Sequence, residues 1–80
     1  MKHAREDYDR IQDPAGLIPD DEPVFLLRGQ DQAAPQILRA YAAEARRQGA
    51  SADLVEATLK QAAAMDDWQR YTRSKVPDLK

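Results

Sequence analysis

The chain has no cysteine and one histidine, His3. The first absence excludes disulfides, thiolate metal sites and a cysteine nucleophile. The second leaves one imidazole, beside a terminus, so neither a histidine base nor a histidine ligand cluster is expected. No apolar run approaches the roughly 20 residues needed to cross a bilayer. The opening residues, Met1 to Asp7, are polar and acidic and lack the apolar stretch of a secretion signal. Lack of cysteine agrees with a reducing compartment, so a cytoplasmic location is expected.

What remains is 80 residues, enough for one domain with a small core. Without disulfides or a structural metal, association with copies of itself or a partner is the remaining route to stability. The net charge of −2 is unevenly placed. Residues 1–31 hold eight acids and four bases, whereas residues 32–80 hold six acids and eight bases. No dense basic stripe results, which ranks nucleic-acid binding low.

Four segments are expected. Residues 1–12 are charged and suit a short helix at most. Residues 13–31 are punctuated by Pro14, Gly16, Pro19 and Pro23 and contain the apolar anchor Val24 to Leu27. Residues 32–75 are rich in Ala, Leu, Glu, Gln and Arg, strong helix formers, and predict a helical hairpin. Residues 76–80 form a tail, because Pro77 biases Val76 away from helical dihedrals.

In the first long helix, Ala34, Ile37, Leu38, Tyr41, Ala42 and Ala45 form an apolar stripe, with Tyr41 expected in the core. Asp31 is the expected N-cap, Pro35 fits the first turn, and Gly49 is expected to end the helix in a left-handed conformation. Ser51 caps the second helix, which buries a face containing Leu54, Val55, Thr58, Leu59, Ala62, Met65 and Gln69. The short link Gln48–Ser51 forces an antiparallel arrangement. Residues 21–29 suit either a buried strand or a short helix capped by Asp21. The helix is preferred because no second strand is evident for pairing. Phe25, Leu26 and Leu27 are expected to pack on the hairpin. The fold class is therefore all-α: an antiparallel hairpin of two long helices, with a short N-terminal helix and an apolar segment packed on it.

Chemical motifs are sparse. Ser51 and Ser74 have no base nearby in sequence, and Ser51 is better explained as a cap. The carboxylate groups Glu6-Asp7, Asp20-Asp21-Glu22 and Asp66-Asp67 lack an evident desolvated cleft and the alternation of a calcium loop. Gly16, Gly29 and Gly49 match no phosphate-loop spacing. No enzyme activity, cofactor or metal is expected. A helix-turn-helix reading meets acids, Asp53 and Glu56, where the recognition helix would face phosphates.

Two clusters suit binding. Trp68, Arg70 and Tyr71 combine aromatic stacking with a guanidinium, near the further cations Arg73 and Lys75. The plainer account of Trp68 is packing at the end of the hairpin. Arg28, Gln30 and Asp31 follow the apolar anchor, beside the start of a helix where anions are favoured. Their plainer account is a capped junction.

The stretch Asp13 to Asp31, with its Ile18-Pro19-Asp20-Asp21-Glu22-Pro23-Val24-Phe25-Leu26-Leu27-Arg28-Gly29-Gln30-Asp31 core, resembles a family of small phage, prophage and proteobacterial proteins. The shared pattern reads IPxDEPVFLLRxQD. Ala34-Pro35, an aromatic at Tyr41, Met65 and Trp68, and the tail Lys75-Val76-Pro77-Asp78-Leu79 continue it, so the resemblance covers nearly the whole chain. It implies an accessory role in counter-defence or host takeover, inside the bacterial host. In architecture the hairpin is also similar to phage sponges that sequester nucleotide-derived immune signals. The sponges' own motif is absent, so no ligand residues carry over.

The expected function is thus a non-catalytic phage or prophage accessory protein that oligomerises and binds a host or defence factor by protein–protein contact. Sequestration of a nucleotide-like signal is the alternative, with Arg28, Gln30, Asp31, Trp68, Arg70 and Tyr71 as the binding residues. A DNA-binding regulator ranks third.

Overall fold

The computed structural model describes residues 2–3 and 13–78. The chain divides into two compact units: Met1–Leu27 with Asp78–Lys80, and Arg28–Pro77.

The second unit is an antiparallel helical hairpin. Helix α1 spans Ala34–Arg47 and helix α2 spans Ala52–Tyr71. Their junction is built from local signals. The Gly49 amide donates to the Arg46 carbonyl and the Ala50 amide to the Ala45 carbonyl. Together with φ +88° at Gly49 these make a Schellman end, which satisfies two carbonyls that α1 leaves open. Ser51 then turns the chain extended, and its hydroxyl accepts from the Leu54 amide at 3.2 Å. Such a cap contributes about 1 kcal/mol.

Buried positions define a narrow seam. On α2, Val55, Thr58, Ala62 and Met65 are buried and Gln69 is half-buried, at alternating spacings of three and four. On α1 the matching set is Pro35, Leu38, Ala42 and Ala45. This is the repeat of a coiled-coil seam rather than a broad globular stripe. Ala34, Ala42 and Ala62 are at most 2% exposed, and among the described residues no large side chain is fully buried. The seam is narrow, so the next positions round each helix are left outside. Tyr41 and Ile37, expected in the core, are instead 55% and 49% exposed. Leu54 and Leu59 also flank the seam on α2. Arg39 and Asp66 form an ion pair across the two helices along one side. Both are partly exposed, so the pair contributes little to stability.

Helix α1 does not start as expected. Its N-cap is Ala33, without a side-chain bond, and Pro35 lies in the first turn. Asp31 is committed elsewhere: it forms a parallel bridge with Lys75. A nonlocal backbone pairing thus outcompetes the local cap.

In the first unit, Asp13 organises a turn. Its carboxylate accepts from the Leu17 and Ile18 amides at 3.1 and 3.0 Å, and its carbonyl accepts from Gly16. Gly16 has φ +64°, which favours glycine. Strand β1 (Lys2–His3) pairs in parallel with strand β2 (Pro23–Val24), Lys2 opposite Pro23 and His3 opposite Val24. The preferred short helix over residues 21–29 is therefore incorrect. The segment is a turn and then extended, because the pairing partner comes from the first residues of the chain. Phe25, expected to pack, is 66% exposed. The expected short helix of residues 1–12 falls, apart from β1, outside the described residues.

Candidate functional site

The structure brings the two sequence clusters to the same end of the hairpin. The Lys75 amide donates to the Gln30 carbonyl at 2.8 Å, and the Gln32 amide donates to the Lys75 carbonyl at 2.9 Å. Gln69, on the last turn of α2, points its amide nitrogen at the carbonyls of Gly29 and Asp31, at 2.9 and 2.7 Å. The Gln32 side chain reaches the Ser74 hydroxyl at 3.3 Å. This clasp fastens residues 28–32 to residues 69–75.

Within it the predicted residues separate into two kinds. Gln30 is only 6% exposed, and Asp31 closes a local turn with Arg28, its amide donating to the Arg28 carbonyl at 3.0 Å. The backbone of Gln30 and Asp31 is therefore structural. Trp68, Arg70 and Tyr71 lie on the surface of the last turns of α2, Tyr71 being 79% exposed. The Arg70 guanidinium carbon lies 5.9 Å from the centre of the Tyr71 ring, at the outer limit of a cation–π contact. From sequence, Gln69 is placed only on the buried face of α2 and Ser74 is weighed only as a nucleophile, so neither is expected in this contact. The one available signal was Gln69 continuing the seam where an apolar residue is expected.

The other end of the hairpin carries a second feature. An open groove of about 620 Å³ runs beside α2, lined by Val55, Leu59 and Ala63 with Arg46, Glu56 and Lys60 at its rim. Lys60 and Glu56 pair at 3.2 Å. On the opposite side, Tyr41 and Leu54 border a smaller hollow of about 320 Å³, with Glu44 and Gln48. Glu44 is held well below its ordinary range, at about 2, first by the Arg47 guanidinium and then by Gln48. The Arg47 Nε donates to it at 2.8 Å.

Among the described residues no three His, Cys, Asp or Glu side chains cluster as metal ligands. No helix there is long and apolar enough to cross a membrane. Comparison of the chain with known protein families, curated proteins and solved structures finds no match in any of the three.

Proposed function

We propose that this protein is a non-catalytic binding module of the phage or prophage accessory kind, which oligomerises and engages a host or defence protein by side-chain packing. One observation carries the reading: large apolar side chains lie outside the seam while the seam itself holds mainly small ones. Leu54, Leu59, Trp68, Ile37 and Tyr41 are each between 41% and 55% exposed. Apolar surface of this extent on a small chain marks interaction surfaces. The groove of Val55, Leu59 and Ala63 has the apolar floor and charged rim that an amphipathic partner helix recognises. The phage assignment rests on the sequence resemblance alone.

The alternative, sequestration of a nucleotide-like signal, draws on the clasp. That contact sets Arg28 and Asp31 on a segment fastened beside the turns that carry Trp68, Arg70 and Tyr71. Stacking on the exposed aromatics with guanidinium pairing is the chemistry such a ligand would use.

Native mass spectrometry of tagged protein isolated from a bacterial host separates the two. Expected is a co-purifying host protein that is lost on Leu59→Glu, with Arg70→Ala having no such effect. A bound nucleotide-sized mass lost on Trp68→Ala or Arg70→Ala would establish the sponge reading instead.

A further inference from the structure

Helix α2 carries a second stripe that the hairpin does not use. Beside the buried seam, Leu54, Ala57, Gln61, Ala64, Trp68 and Tyr71 again alternate at three and four residues apart. All six are exposed and none is charged. The charged residues of α2, Asp53, Glu56, Lys60, Asp66, Asp67 and Arg70, occupy the remaining arc. A helix that packs on one neighbour needs one such stripe; two adjacent stripes serve a helix that packs on two.

We infer that the second stripe docks α2 against α2 of a second copy, antiparallel across a two-fold axis. The inference rests on the binding reading above and identifies one partner within it. Three observations select a copy of the chain over a foreign protein. First, the stripe complements its own reverse. Antiparallel pairing sets Leu54 against Tyr71 of the second copy, Ala57 against Trp68, and Gln61 against Ala64, so that each of the two largest rings meets a smaller side chain. Second, the flank matches. Asp53, Lys60 and Asp67 border the stripe at seven-residue intervals, and the same register brings Lys60 near Asp67 of the second copy, twice by symmetry. An isologous interface requires this kind of self-matching, whereas a like-charged flank would repel itself.

Third, the area suffices. Tyr41 and Leu54 share one hollow, so the α1 edge with Ile37 and Tyr41 lies on the same side as the stripe. Tyr41, Trp68 and Tyr71 are 55%, 41% and 79% exposed. At roughly 200 Å² per aromatic side chain, these three leave on the order of 350 Å² uncovered. With the aliphatic, alanine and glutamine surface added, full coverage of this face in both copies would bury about 1,200 Å², the lower bound of a specific interface.

Sedimentation equilibrium of the full chain tests the inference. The wild type is expected to dimerise. Ala57→Glu keeps a helix former at an exposed site, so circular dichroism should be unchanged while dimerisation weakens about tenfold or more. Lys60→Asp should also weaken it, by setting like charges together, and Lys60→Asp with Asp67→Lys should restore it. A monomeric wild type overturns the inference, as does a dimer indifferent to Ala57→Glu. Failure of the paired reversal to rescue Lys60→Asp overturns the antiparallel register. A monomer that still retains a host protein sinks the dimer and leaves the binding function standing. A dimer that responds to all three variants but holds no partner does the reverse.

Discussion

Gly49 and Gly29 show how differently two glycines can matter. Gly49 has φ +88° and open space around the position of a side chain. Gly49→Ala therefore costs only the left-handed backbone strain, about 1 kcal/mol, read as a lower midpoint in chemical denaturation. Gly29 has no such dihedral, and a Cβ there would meet the Met65 side chain at an ordinary 3.8 Å. Gly29→Ala should leave the midpoint nearly unchanged. Glu44 gives the pH prediction. Its carboxyl is lowered from 4.5 to about 2 by Arg47 and Gln48, so its contribution is present above pH 4.5. It is lost as the pH falls from about 4.5 towards 2. Thermal melts of Glu44→Gln across that window should show a shallower decline than the wild type. The difference is small, because solvent screens an exposed pair.

At the level of elements, the helix junction was legible because its causes are local. Gly49 and Ser51 do in the structure what their backbone and side-chain chemistry allows at those positions. The seam was legible in period but not in width. The apolar residues Leu54, Val55, Leu59 and Met65 mark one side of α2, but only packing against the small residues of α1 decides which of them are covered. Tyr41 was misplaced for the same reason. The clasp was not legible, since residues 30–32 and Lys75 meet through backbone groups that carry no residue signature, and the Gln69 side chain caps carbonyls far away in sequence. The same holds for β2, whose two-residue pairing with Lys2–His3 leaves no apolar alternation to read. Gln69→Ala tests the clasp directly. It strands the Gly29 and Asp31 carbonyls and should cost about 1–2 kcal/mol. Hydrogen exchange should quicken at the Gln32 and Lys75 amides while the middle of α2 keeps its protection.

For the molecule as a whole, the candidate site was half legible. The residue types at 28–31 and 68–71 were identified from sequence, and the structure brings both segments to one end of the hairpin. The apolar groove lined by Leu59 was missed, because Leu59 was assigned to the seam. Val76 is 71% exposed and lies beyond the last residue of the clasp. Deleting residues 76–80 should therefore leave the melting midpoint of the hairpin near the wild-type value. Deleting residues 72–80 removes Lys75 and should lower it. Differential scanning calorimetry of the two truncations distinguishes these outcomes.

The bridge between Asp31 and Lys75 is parallel, and this sets how the chain bears tension. The segment before residue 28 and the segment after residue 75 leave the paired strands in opposite directions along their common axis. A pull between them loads the Gln30–Lys75 and Gln32–Lys75 bonds in shear, so both must give way together before α1 and α2 can peel apart one turn at a time. A hairpin with so small a core thus has its mechanical threshold at the clasp rather than along its helices. Forced unfolding of the Arg28–Pro77 unit from its flanks would therefore meet that threshold before the helices separate.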